Sequence, residues 1–132
     1  MWRRLLIAVV ALAALMSGCM DESEGGGGEF LLKAAEITDL HAQAKWAEIR
    51  RDFDEEMREG LTEEMLADGW TQLTSELGAY ESRGQPRVVR EANGLTVIDT
   101  PMFFEGGEYK SRVTFREDGQ IAGLFILKKN VA

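Results

Sequence analysis

Three pairs of turn residues in the second half of the chain limit its possible folds more than any other feature. Asn93-Gly94, Gly106-Gly107 and Asp118-Gly119 each supply the positive φ that a tight hairpin requires. The segments they separate, 85–92, 95–105, 108–116 and 120–128, have the length of strands. In the third, Tyr109, Ser111, Val113 and Phe115 alternate with Glu108, Lys110, Arg112, Thr114 and Arg116, so one face is apolar and one is wet. The fourth, Ile121 to Leu127, is apolar at both parities, as expected of a strand covered on each side. Pro101 cannot donate to a ladder, so the second strand should bulge there or lie at an edge. The expectation is a four-stranded antiparallel meander.

The first half has a different period. Phe30, Ala34, Ile37, His41 and Ala44 recur at helical spacing, and Trp46, Ile49, Phe53 and Met57 do so after a small change of phase. Gly60 can close a helix, Thr62 can cap the next, and Glu63 and Glu64 suit its positive end. Leu66, Trp70, Leu73 and Leu77 then form a stripe that Gly78 stops. Asp68-Gly69 within that helix is unfavourable by about 1 kcal/mol relative to alanine. Helices followed by a meander predict an α+β domain over residues 30–128, with N-terminal helices packed on a curved four-stranded antiparallel sheet.

Ahead of the domain, Arg3-Arg4 precede an apolar run from Leu5 to Met16, too short to span a bilayer as a permanent helix. The sequence Leu15-Met16-Ser17-Gly18-Cys19 that ends it resembles the lipobox of bacterial lipoproteins. The resemblance implies that residues 1–18 are a signal peptide and that Cys19 carries lipid, palmitate included. Each buried methylene would contribute about 0.8 kcal/mol, so two or three chains would hold the protein on a membrane. Residues 19–29, with Asp21, Glu22, Glu24, Gly25–Gly28 and Glu29, read as an acidic, Gly-rich tether. The position after Cys19 is Met20 and not aspartate, which resembles lipoproteins sent to the outer membrane of two-membrane bacteria. The expected location is extracytoplasmic: the periplasmic face of an outer membrane where there is one, otherwise the outer face of the cell membrane.

Charge narrows the partners. The net charge is −8, and becomes −10 when Arg3 and Arg4 leave with the signal. Nucleic acid is a poor partner for such a surface. The acidity is concentrated in residues 21–81, with 17 acidic and 5 basic residues, against 6 and 8 in residues 82–132.

A family resemblance rests on Phe53, Met57, Leu61-Thr62, Leu66, Trp70, Leu73 and Gly78, followed by Phe103-Phe104-Glu105-Gly106 and by Asp118-Gly119-Gln120-Ile121-Ala122-Gly123-Leu124-Phe125. Together they resemble a bacterial extracytoplasmic domain-of-unknown-function family, found in small lipoproteins and beside α/β-hydrolase domains. The resemblance runs from about Phe30 to Leu127 and implies a nuclear transport factor 2-like, or cystatin-like, cone. Its pattern is made of core and turn residues and carries over no catalytic group.

Three functional readings use different residues. A cone enzyme, isomerase- or hydrolase-like, would use a buried carboxylate beside a tyrosine, as ketosteroid isomerase does. Asp99, which shares parity with Leu95, Val97 and Phe103, and Tyr109 on the next strand are the candidates, although Asp99-Thr100-Pro101 reads equally as a polar bulge. A binding module would line a cavity with Trp46, Trp70, Phe103 and Tyr109, aided by Phe104, Met57, Met65 and Met102, to hold a small apolar ligand or an envelope protein. A homodimer would set the basic sheet face of Lys110, Arg112 and Arg116 against the acidic helices of a second copy. The chain has one histidine, His41, which reads as a packed helix residue, and no cluster of metal ligands. No metal or cofactor is expected. The binding or interaction module is the function this sequence points to, with the small enzyme as the alternative.

Overall fold

A computed structural model describes residues 27–132, so the expected signal peptide, Cys19 and most of the expected tether lie outside the described residues. Helix α1 runs Gly27–Ala42, α2 Trp46–Ile49, α3 Glu55–Gly60 and α4 Glu63–Leu77. The strands are β1 Tyr80–Arg83, β2 Arg87–Ala92, β3 Leu95–Phe104, β4 Gly107–Arg116 and β5 Ile121–Lys128. The fold is α+β, with helices on one face of an antiparallel sheet. Helix α1 takes in Gly27–Glu29, the last residues assigned above to the tether.

The sheet has five strands and not four. Across it the order is β1-β3-β4-β5, and β2 pairs with β3 on the edge that β1 also uses. Tyr80 to Arg83 face the C-terminal half of β3 and Arg87 to Ala92 its N-terminal half, so the first two strands lie end to end. Gly84-Gln85-Pro86 separates them, opposite Pro101. The Gly84 amide donates to the Pro101 carbonyl at 2.9 Å, placing the missing Pro101 N–H at this gap between partners. Pro101 therefore sits in an interior strand without a bulge of its own, its register with β4 unbroken from Leu95↔Arg116 to Phe104↔Gly107. The irregularities fall instead in the partners of β3 on its other edge, between Tyr80 and Ser82 of β1 and between Val88 and Arg90 of β2.

Two of the turns form where the glycines indicate. Asn93 and Gly94 have φ of 55° and 78°, and Gly119 has φ of 91°. The central hairpin turns one residue earlier than expected, at Glu105-Gly106, because its tip is bound to the end of α4. The Gly106 amide donates to the Leu77 carbonyl at 2.6 Å, the Glu105 amide to Ala79 O at 2.9 Å, and the Ala79 amide to Glu105 Oε1 at 3.0 Å.

The helical half departs from one continuous stripe at Phe53. After α2 and a 3₁₀ turn over Arg50–Asp52, Phe53 becomes extended (φ −62°, ψ 141°) and bridges Ile121, while the Asp54 amide donates to Ile121 O at 2.9 Å. Asp54 then caps α3 by accepting from the Met57 amide, and Thr62 caps α4 by accepting from Met65. Arg50 closes the bend, donating to the Leu61 and Arg58 carbonyls at 2.9 and 2.7 Å.

The core lies between α1 and the inner face of the sheet. Ala34, Ile37 and Leu40 of α1 join Ile49, Phe53, Leu66, Ile98, Val113, Phe115, Ile121 and Leu124 in one buried cluster, and Phe30 stacks on Phe115 with ring centres 4.9 Å apart. Strand β5 lies at the edge and is not covered on both sides: Leu124 is buried, whereas Phe125 on the outer face is 58% exposed. At the hairpin tip, a Cβ added to Gly106 would lie 2.7 Å from the Leu77 carbonyl oxygen, a backbone atom that cannot swing aside. Gly106→Ala is expected to destabilise the domain by about 1–3 kcal/mol. Urea denaturation checks this, and an unchanged midpoint would show that the hairpin tip does not need its contact with α4.

Candidate functional site

Strand pairing decides which candidate residues can meet. Ile98, Thr100, Met102 and Phe104 of β3 share the inner face with Ser111, Val113 and Phe115 of β4, and Tyr109 pairs with Met102 on that face. Asp99 pairs with Arg112, and Phe103 with Glu108, on the other face. Asp99 and Tyr109 are thus separated by the sheet, and Phe103 faces away from Trp46, Trp70 and Tyr109. Phe104 takes the position proposed for Phe103, packing edge-on against Tyr80 and Tyr109 and tilted against Trp70.

Asp99 is buried on the outer face and fully partnered. Arg112 donates to both of its oxygens, at 2.7 and 2.8 Å, and Lys110 stands 3.4 Å away. Burial alone would raise its carboxyl pKa, but the Arg112 hydrogen bonds and the two positive charges outweigh that and hold it below the usual carboxylate range. A carboxylate held ionised by a bidentate arginine has the opposite character to one raised by burial for acid–base work. Among the described residues, no group of three or more His, Cys, Asp and Glu is placed to hold a metal ion, and no helix is long and apolar enough to cross a membrane.

On the inner face an apolar cleft of about 240 Å³ opens between α4 and the β5 edge. Leu61, Met65, Leu66, Trp70 and Leu73 form one wall and Leu124 and Ile126 the other, with His41 from the last turn of α1 between them. Three surface depressions among the described residues are larger, but those beside α3 and at the Asn93-Gly94 turn are lined mainly by charged and turn residues, and the third lies against Arg90, Ala92, Leu95, Val97 and Thr114 of β2, β3 and β4. Of the residues expected to line a cavity, the cleft contains Trp70 and Met65. Trp46 touches it indirectly, its ring centre 5.9 Å from that of His41.

His41 is the unusual member. It is 2% exposed, its ring lies 5.7 Å from that of Trp70, and its Nδ1 is buried without a hydrogen-bond partner. Burial lowers its pKa to about 4, with the Ile37 carbonyl one turn back offsetting part of the effect, so the imidazole is neutral at pH 7. Thr100 Oγ1 and Ser111 Oγ, cross-strand neighbours on the inner face, are also buried and unpaired. Ser111 pairs in turn with Ile126 of the cleft wall. Such groups are unfavourable by about 1–3 kcal/mol each when left unmatched. Gly69 adds a second oddity. It lines the cleft in the middle of α4, where glycine is unfavourable by about 1 kcal/mol relative to alanine, yet a Cβ there would meet nothing within 4 Å. Packing supplies no reason for glycine here, and its absent side chain leaves the cleft open.

The histidine gives a pH dependence with a definite sign. Its folded pKa lies below the unfolded value of 6.5, so its contribution is complete above pH 6.5 and is lost as pH falls toward 4, where the unfolded chain takes up a proton that the folded chain refuses. The loss amounts to about 3 kcal/mol. Urea midpoints between pH 7 and 4 are expected to fall more steeply for the native chain than for His41→Phe. Parallel curves would show that the folded protein protonates His41 freely.

Comparisons with known proteins bear on the fold. The family described as "Protein of unknown function (DUF3887)" matches residues 34–124. No curated protein matches the chain. Among solved structures, an NMR structure of a protein from Ruminococcus gnavus ATCC 29149 superposes with a TM-score of 0.59 at 18% identity, over 79% of this chain and 94% of that one. At that identity the likeness concerns the fold alone.

Proposed function

Since the chain belongs to the DUF3887 family of proteins of unknown function, we propose that it is a binding module of the bacterial cell envelope, held by lipid on Cys19 and receiving a small apolar ligand in the cleft between α4 and β5. The observation that carries this reading is the cleft itself: seven aliphatic, thioether or indole side chains converge around one buried, neutral histidine. Binding sites of this kind combine mostly apolar walls with a few placed polar groups. At about 240 Å³ the cleft is smaller than the 300–1,000 Å³ typical of drug-sized ligands, so its guest is small. Helices laid across the inner face of a curved sheet, with an opening at one edge, also suit the nuclear transport factor 2-like cone, to which we assign the fold.

The anchor reading rests on the segment Arg3 to Cys19 and its likeness to a lipobox. With α1 beginning at Gly27, a tether of the seven residues 20–26 would have an r.m.s. reach of about 15 Å, and so would keep the domain near the bilayer. Its acidic side chains would keep the domain off anionic headgroups.

Two measurements test the two parts separately. Growth with radiolabelled palmitate is expected to label the native chain and not Cys19→Ser, and equal labelling would remove Cys19 as the attachment point. Native mass spectrometry of the Cys19→Ser protein purified from its own host is expected to show a co-purifying small mass that disappears on denaturation. A bare polypeptide mass at every protein concentration would count against a retained ligand.

A further inference from the structure

Apolar walls alone leave the ligand's chemistry open, and the polar and charged groups around the cleft narrow it. Among the described residues no lysine or arginine lines the cleft, and α4, which forms most of its wall, carries Glu63, Glu64, Asp68 and Glu76 with no basic residue. An anionic ligand would lose its hydration with no cation to receive it, beside a helix that repels it. No carboxylate of the described residues lines the cleft either, so a cation buried there would also lack a partner. The guest must be uncharged.

Among the described residues, the polar side-chain groups lining the cleft are the Trp70 indole N–H, which can only donate, and the imidazole of His41, 2% exposed and with an unpaired buried nitrogen. A neutral imidazole offers one donor and one acceptor, whichever nitrogen bears the proton. A hydroxyl group also offers both, so it can complete either tautomer without ring rotation or proton transfer. A hydrocarbon completes neither and would bury the imidazole more deeply while leaving it unmatched. A site with an unmatched buried polar group discriminates strongly against the analogue that lacks the matching hydrogen bond. Gly69 is consistent with this arrangement, since it borders the cleft at an exposed position where a Cβ would meet nothing within 4 Å.

We propose that the cleft selects small, uncharged alcohols or phenols, with the apolar body between α4 and β5 and the hydroxyl on His41. This rests on the reading of the cleft as a binding site. Three bicyclic probes of nearly equal size separate the two claims: 2-naphthol, naphthalene and 2-naphthoate. Binding to the full-length protein is followed through the methyl NMR signals of Leu61, Leu73, Leu124 and Ile126, which report from opposite walls.

2-Naphthol is expected to shift those methyls and to bind at least ten-fold more tightly than naphthalene, with 2-naphthoate the weakest. His41→Phe should remove the preference for 2-naphthol while keeping naphthalene binding, and Gly69→Leu, which fills open space, should remove binding of both. Equal affinities for 2-naphthol and naphthalene in the native protein would overturn the role of His41 and leave the apolar cleft standing. That comparison needs no variant to fold. Tightest binding of 2-naphthoate would overturn the charge argument. Failure of all three probes to move the four methyls would overturn the binding reading as well.

Discussion

The packing of α1 across β3 and β4 is the interaction on which the other features depend. Ala34 is fully buried where α1 meets the sheet, and its small side chain lets the helix lie close, with Ile37 and Leu40 continuing the contact. The sheet has only one covered face, so losing this contact would expose Ile98, Val113 and Phe115 together. Burying a side chain of that kind is worth about 1.5–3 kcal/mol, which makes this seam large against the 5–15 kcal/mol net stability of a typical domain. The other helices are fitted around it. Lys33 meets Asp52 at 2.6 Å and Arg83 meets Asp39 at 2.8 Å, tying α1 to the 3₁₀ turn and to β1. The first pair is about 30% exposed on each side, so it orients the elements more than it stabilises them.

The cleft follows from the same geometry. Helix α1 covers the middle of the sheet, and α4 is fixed at its C-terminal end by the Glu105-Gly106 tip and by Trp70, whose ring centre lies 5.7 Å from both Tyr80 and Phe104. Those contacts draw α4 toward the β1–β3 side. Of the inner residues of β5, Leu124 is buried but Ile126 is only half-buried, and the last turn of α1 places His41 where the gap begins.

Features set by near neighbours in the chain were legible in the sequence. Asn93-Gly94, Gly119, the Thr62 cap and the Gly78 stop are local, and each formed where its residues indicated. Features that depend on distant segments were not. The break at Phe53 needs Ile121 beside it, and the shifted hairpin turn needs Leu77. Strand β1, Tyr-Glu-Ser-Arg, has too few apolar residues to show a period and is held by its pairing with β3. For the cleft, Trp70 and Met65 stood out by composition, and His41 could be placed on a buried stripe. Leu124 and Ile126 could not be singled out, because a run apolar at both parities conceals which parity faces the helices. Asp99 shares its parity with the apolar Val97 and Phe103, which makes the outer face look like the inner one in the sequence. The outer face of β3 is half-buried and mixed, so its parity resembles that of a core.

The two faces of the sheet treat buried polar groups differently, and that difference underlies the site proposed at His41. On the outer face Asp99 is matched by Arg112 and Lys110, so a ligand approaching it would have to displace an existing charge-assisted pair. On the inner face His41 Nδ1, Thr100 Oγ1 and Ser111 Oγ have no partner. A hydrogen bond to one of these groups is formed without breaking one inside the protein, so nearly its whole value is available to binding. Of the three, Thr100 and Ser111 are sealed behind the sheet's own side chains at zero exposure, whereas His41 lines an opening. His41 is therefore where an unmatched group lies beside an opening, its Nδ1 itself still buried, and a solute in that cleft would meet the apolar walls and the imidazole together.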